Sequence, residues 1–251
     1  MASGHSLVSR LVAHRGYRVC YPENTLIAYE AAVARGAHFV ELDVQLSRDA
    51  VPVLYHDRTL YRVSRQQGAI HQYTLAELSH FRAFEYDRFG YRFAQNPICT
   101  LADFVTFLAQ HPHVTAFVEM KRVMVERFGA DVAAAKVLAT IAPVAGQCVI
   151  ISYDLDILLA VRERGWERIG AVVDHWRERR NARLRTLRPQ YLFCDEASLP
   201  RRGRLHFDDA QLAVFQTSDP ARARTLFRRG IALVETDDIG SMIAALAGES
   251  G

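Results

Sequence analysis

The sequence predicts a single (β/α)8 TIM barrel, and three observations carry that prediction. The chain has 251 residues, the usual size of one such barrel. Short apolar runs of strand character alternate along it with stretches of helical period. Ionisable residues gather at the ends of the apolar runs, and in a parallel barrel those ends share one face. Residues 1–251 are read as one domain.

The stretch from Leu11 to Asp57 sets the pattern. Leu11-Val12-Ala13 runs into His14 and Arg15, Phe39 to Val44 alternates apolar residues with Glu41 and Asp43, and Val51 to Tyr55 runs into His56 and Asp57. A helix lies between the first two runs. Asn24 or Thr25 can cap it, Leu26, Ala28, Tyr29, Ala32 and Val33 supply its apolar face, and Gly36 ends it. Glu41 and Asp43 are two residues apart in a strand, so they point to the same side. Like charges held that close repel unless a cation or a proton sits between them, and two hard oxygen ligands suit Mg²⁺ or Ca²⁺. The competing reading is an edge strand with solvated carboxylates.

After Asp57 comes a polar region, about 58–98, with a short helix signal near Leu75 to Phe81 and an aromatic, charged patch from Phe81 to Phe93. Some forty residues are too few for an independent core, so the region is read as an excursion over the barrel mouth. Its aromatics either line a substrate entrance or pack the excursion down. Strand and helix alternation resumes at Thr100, which caps a helix through Leu108. Strands follow at 114–120, 148–153, 168–173, 190–194, 212–215 and 231–234, with helices at 131–141, 154–164, 178–187, 220–229 and 241–246. His14, Glu41, Asp43, Glu119, Lys121, Ser152, Asp195 and Asp237 fall at or just inside strand ends.

Half the residues are hydrophobic, enough for a full core, yet no apolar run reaches the ~18 residues of a membrane span. Met1 to Arg10 is polar and lacks the ~7–15 residue apolar core of a secretory signal, so the expected location is cytoplasmic, without stable membrane insertion. Cys20, Cys99, Cys148 and Cys194 are scattered and read as reduced, packed thiols. The net charge of +3 favours no partner, and a homo-oligomer is compatible with the composition but not specified by it. Among 31 basic residues only Lys121 and Lys136 are lysine, which singles out Lys121 beside Glu119. The arginines between Arg177 and Arg188 are interrupted by Glu178 and lack interleaved aromatics, so they read as a solvated helix face rather than a nucleic-acid site.

Four pieces in order resemble the opening of the glycerophosphodiester phosphodiesterase family: His14-Arg15-Gly16, Pro22-Glu23-Asn24-Thr25, Glu41-Leu42-Asp43 and His56-Asp57. Thr100-Leu101, Glu119-Met120-Lys121, Ser152-Tyr153-Asp154 and the closing Thr236-Asp237 extend the resemblance over about residues 11–240. In three places the chain departs from the family pattern. Ala50 replaces a usual turn glycine, Phe215 stands where tryptophan is frequent, and Tyr153 replaces a frequent phenylalanine.

The resemblance implies metal-dependent hydrolysis of small-molecule glycerophosphodiesters to glycerol 3-phosphate and an alcohol. The physical chemistry of the residues agrees. A divalent metal, Mg²⁺ or Ca²⁺, held by Glu41, Asp43 and Glu119 would face the charge that develops on the phosphoryl oxygens. Arg15 and Lys121 can offset the acidic shell and grip phosphate. Imidazole is the side chain suited to exchanging protons near neutral pH, so His14 and His56 can divide the proton transfers, His14 as base and His56 as acid. Glu23 and Asn24 are as readily helix-capping residues as substrate contacts. The alternatives are a lysophospholipase D or sphingomyelinase D-like phosphodiesterase, favoured by a long apolar groove lined by the 81–93 aromatics, and a non-catalytic binding barrel.

Overall fold

Strand β1 (Leu11–His14) closes the sheet, because it pairs in parallel with both β2 (Phe39–Leu46) and β9 (Leu233–Thr236). The computed structural model describes residues 6–247; His5 and the start of the polar N-terminus lie outside the described residues. Between β2 and β9 the ring runs through β4 (Thr115–Met120), β5 (Cys148–Ser152), β6 (Ile169–Val173), β7 (Tyr191–Asp195) and β8 (Gln211–Phe215), all parallel. The extra strand β3 (Pro52–Leu54) lies antiparallel on β2 and forms a hairpin with it. The result is an eight-stranded parallel barrel, the predicted (β/α)8 fold.

Strand alternation divides the core in two. Val12, Phe117, Val149, Ile151, Val172, Phe193, Ala213 and Leu233 fill the barrel interior. The remaining buried strand residues face the helices in the larger outer core. The inward rows continue toward the strand C-termini, two residues on, as His14 after Val12, Glu119 after Phe117, Asp195 after Phe193 and Glu235 after Leu233. These four strands therefore pack the barrel with one inward residue and offer chemistry with the next.

The helices sit largely where expected. Leu101–Ala109 begins at a reciprocal cap: the Asp103 N–H donates to Thr100 Oγ1 at 3.0 Å, and the Thr100 N–H donates to Asp103 Oδ2 at 3.1 Å. Asp154, Asp219 and Asp238 cap later helices in the same role. The first helix, Leu26–Ala34, starts where predicted but lacks a side-chain cap. Thr25 occupies the cap position, but its hydroxyl donates to the Pro22 carbonyl, and the Asn24 side chain is committed elsewhere.

Three other elements depart from the sequence reading. A helix at Arg122–Phe128, read as loop, buries only Val123 and Met124 in seven residues, too short to show a period. The arginine-rich helix is broken at Asn181 into Trp176–Arg180 and Ala182–Leu187, and its arginines Arg177, Arg180, Arg183, Arg185 and Arg188 are exposed as expected. The last strand begins at Leu233 and carries Glu235 and Thr236 inside it, so hydropathy placed it two residues early.

The excursion holds short helical turns at Tyr61–Ser64, Ile70–Gln72, Leu75–Leu78 and Tyr86–Phe89. Leu60, Val63, Ile70, Leu78, Ala83 and Ile98 form a small core with Val53 and Tyr55, so the excursion is stapled to β3 and the segment after it. Its aromatics pack among themselves or on the neighbouring loop, as Phe81 on Tyr73, Phe93 on Phe89 and Tyr21. These contacts agree with the packing reading, while Tyr86 and Tyr91 remain exposed.

Ala50 has φ +58°, a left-handed turn conformation that costs an L-residue about 1–2 kcal/mol. Ala50→Gly should relieve that strain and, after the larger chain entropy of glycine is subtracted, stabilise the protein by about 0.5–1 kcal/mol. A higher urea midpoint with an unchanged slope is the expected result, and a lower midpoint would refute the strain.

Candidate active site

The His-Arg-Gly turn after β1 builds the first corner of the site. Gly16 has φ +84°, and a Cβ there would lie 2.7 Å from the Ala28 Cβ, so only glycine lets the turn press on the first helix. Arg15 is itself left-handed at φ +56°, held by its N–H donating to the Glu41 carbonyl at 3.1 Å and to Glu41 Oε2 at 3.2 Å. Asn24 (φ +55°) and Glu85 (φ +46°) carry the same conformation close by, so strained backbone gathers at this site.

The predicted residues come together. Glu41, Asp43 and Glu119 present carboxylate oxygens within 4.8 Å of one another. Lys121 Nζ reaches Glu119 Oε1 at 2.7 Å and Asp43 Oδ1 at 3.1 Å, and Arg15 Nε lies 2.9 Å from Asp43 Oδ2. Asn24 grips Asp43 from the other side: its Nδ2 donates to Asp43 Oδ2 at 2.8 Å, while its Oδ1 accepts from the Asp43 N–H and the Tyr29 hydroxyl. Burial works against ionisation of Asp43, but Arg15 and then Lys121 outweigh it and hold the carboxyl well below its usual range. Glu41 has no such cation in contact, so burial and the adjacent Asp43 push its pKa well up. Glu41 Oε1 is buried without a hydrogen-bond partner. An orphaned oxygen among three converging hard donors fits a divalent cation.

Each histidine is oriented through Nδ1. His14 Nδ1 lies 2.8 Å from Asp237 Oδ1, and His56 Nδ1 lies 2.7 Å from Asp57 Oδ1. Both imidazoles therefore leave Nε2 for other work. Burial, then the Arg15 charge, lowers the pKa of His14, with Asp237 pulling the other way.

Behind both histidines stands Glu23, which was read as a capping or substrate residue. It caps nothing. Arg15 Nη1, Arg18 Nε and Arg62 Nη2 donate to it at 3.2, 2.9 and 2.6 Å. Arg18 also donates to Asp237 at 2.8 Å, and Arg62 to Asp57 at 2.6 Å. Glu85 closes the frame, accepting from the Glu23 N–H, Arg62 and Arg88. Arg18, Arg62 and Glu85 carry no sequence signal, because each joins a nearby partner to one far along the chain, as Arg18 joins Glu23 to Asp237. Asp237 was placed at a strand end, and its role as partner to His14 appears only in three dimensions.

The groups face one cavity of about 590 Å³, lined on one side by His14, His56, Glu41, Glu119 and Lys121. The other side is apolar, with Ile151, Val172, Phe193 and Phe215, and the Tyr153 ring lies edge-on to Phe215 at 6.3 Å. Burial pushes the Tyr153 hydroxyl pKa up. Asp195 reaches the cavity; Ser152 does not, because its hydroxyl donates to the Met120 carbonyl. Glu235 also lines the cavity and was not among the predicted site residues. Burial and then Glu119 push its pKa well up.

Fold and site together define a TIM-barrel protein with a carboxylate cluster and two carboxylate-oriented histidines at the strand C-termini. The profile of the glycerophosphoryl diester phosphodiesterase family matches residues 14–241, and the chain belongs to that family. It is 44% identical over 71 residues to a glycerophosphodiester phosphodiesterase of Bacillus altitudinis, covering 28% of this chain and 29% of that one. With a Caldanaerobacter subterraneus counterpart it shares 40% identity over 91 residues, 36% of this chain and 37% of that one. The chain thus matches under half the length of these curated relatives. Among solved structures it resembles a glycerophosphodiester phosphodiesterase of Thermotoga maritima (TM-score 0.73, 25% identity, 97% and 99% coverage). It also resembles an Oleispira antarctica phosphodiesterase in complex with its product sn-glycerol-3-phosphate (TM-score 0.80, 23% identity, 94% and 96% coverage).

Burial opposes ionisation of Glu23, but Arg15 and Arg62 pull its pKa down to about 2 from an ordinary 4.5. A folded-state pKa below the unfolded one gives stability that is complete above pH 4.5 and lost as pH falls toward 2. Glu23→Gln should cost about 3 kcal/mol at pH 7, the scale of breaking a buried ion pair. Denaturant unfolding at pH 7, 4 and 3 should show the gap to wild type narrowing with acid, and a constant gap would refute the ionic account.

Proposed function

We propose that the chain, as one domain, hydrolyses glycerophosphodiesters to glycerol 3-phosphate and an alcohol, with a divalent metal, Mg²⁺ or Ca²⁺. The observation that supports this most is the shared cavity, where Glu41, with an orphaned oxygen, and Glu119 line the wall, Asp43 converges on them from behind, and two imidazoles stand beside them, each tied to a carboxylate at Nδ1. Glu41, Asp43 and Glu119 would hold the cation, which supplies positive charge to the phosphoryl oxygens when bound. Arg15 and Lys121 already touch that cluster and are placed to take phosphate oxygens as well.

Depth supports a division of roles between the histidines. His14 is buried beside Glu41, at 3.9 Å, and takes the proton of the attacking oxygen. His56 is the more exposed of the two, at 34% against 11% for the side chain, and donates a proton to the alcohol as it leaves through the mouth. Asp237 and Asp57 hold the rings and stabilise their charged forms.

The lysophospholipid-cleaving alternative needs a long apolar groove at the mouth. None of the aromatics from Phe81 to Phe93 lines the cavity, which favours a compact, water-soluble diester. The unpaired Cys20, Cys99, Cys148 and Cys194 fit a reducing compartment, and cytoplasmic action is part of this proposal.

Chelator-treated protein should be inactive on glycerophosphocholine and regain activity with Mg²⁺ or Ca²⁺. His14→Ala and His56→Ala should each lower kcat by about 10²–10⁴-fold with the fold intact by circular dichroism. Full turnover by His56→Ala would refute the two-histidine scheme, and turnover that survives chelation would refute the metal.

A further inference from the structure

The proposed reaction leaves one buried carboxyl without a task. Glu235 points into the barrel from β9 and is only 4% exposed, yet it lines the cavity. Among the described residues no hydrogen bond or ion pair reaches its side chain. The other inward carboxylates are all engaged: Glu41 by the Arg15 N–H, Asp43 by Arg15, Asn24 and Lys121, and Glu119 by Lys121.

Depth says what could engage it. Glu235 stands in register with Val12, two residues before His14, so its carboxyl starts one inward position deeper than the imidazole. The adjacent wall of Ile151, Val172, Phe193 and Phe215 offers no side-chain hydrogen-bonding atom. A group entering this end meets that apolar wall on one side and Glu235, with Glu119 near it, on the other. The Glu235 oxygens open on the cavity rather than being sealed in the core, so a ligand that displaces water there must supply donors in its place. A hydroxyl is cheap to desolvate here compared with a charged ammonium, and the cavity is closed by the barrel core below. The inner arm of the diester must then be small and carry hydroxyls, and the second alcohol must project through the open mouth.

We propose that Glu235 determines specificity for the inner arm of the substrate by hydrogen-bonding the hydroxyls of its glycerol group. This rests on the phosphodiesterase reading above, but binding tests it without turnover. Isothermal titration in Mg²⁺ would compare glycerol 3-phosphate with propyl phosphate, which has the same length and no free alcohol. Wild type should favour glycerol 3-phosphate by about 10-fold or more, the effect of a hydrogen bond made to a buried group. In Glu235→Leu that ratio should fall toward one. In Glu235→Gln, which keeps an acceptor and a similar shape, it should stay clearly above one, with melting temperatures confirming that both variants fold.

Several results would overturn the assignment. One is an unchanged ratio in Glu235→Leu; another is equal weakening of both ligands, which marks a structural or metal-holding role. Tighter binding of 3-aminopropyl phosphate than of glycerol 3-phosphate by wild type would assign the carboxyl to an ammonium instead. Failure of wild type to discriminate the two phosphates would also overturn it. Absence of hydrolysis alongside a retained ratio would overturn the reaction and support the subsite.

Discussion

The ion-pair frame centred on Glu23 is the constraint on which the site depends. One buried carboxylate receives three guanidinium groups, and two of them pass on to the carboxylates that orient the histidines. The paths run Glu23–Arg18–Asp237–His14 and Glu23–Arg62–Asp57–His56. Segments separated by some 220 residues are thus fixed relative to one another through charge-assisted hydrogen bonds. Each link is directional and each is at least partly shielded from water, so geometry is held more tightly than packing alone would hold it.

The two halves of the cavity divide the work. β1, β2, β4, β9 and the loop after β3 bring most of the charge, whereas Ile151, Val172, Phe193 and Phe215 from the other strands bring little beyond shape. An apolar wall opposite charged groups lowers the local dielectric and strengthens their action on a bound anion. The same wall faces Glu235, which starts one inward position below His14 and gives the pocket a direction.

Much of this was legible in the residues. The strand at Phe39–Leu46 showed its two same-sided carboxylates by spacing, and Thr100 announced its helix by the cap it forms. All seven predicted site residues, His14, His56, Arg15, Lys121, Glu41, Asp43 and Glu119, meet at one place. What stayed hidden was of two kinds. Arg18, Arg62 and Glu85 act through partners far away in the chain, and no local pattern marks them. Glu235 lies inside a strand whose apolar run stops at Val234, so the hydropathy that placed the strand also cut it short of its polar inward residue. Asn24 misled for a third reason: in a helix-start motif its side chain serves Asp43 rather than the helix.

The excursion is not free to diverge as an ordinary surface insertion would be. Its outer edge carries Tyr61, Tyr86 and Tyr91, which are exposed and answer to nothing in the barrel. Its inner edge carries Arg62 and Glu85, which brace Asp57 and the Glu23 backbone. Exchange of this segment between barrels of the same architecture is therefore a transplant with two anchor points. A donor loop that keeps them, and the apolar staple onto β3, preserves the brace behind the second imidazole whatever rim it presents.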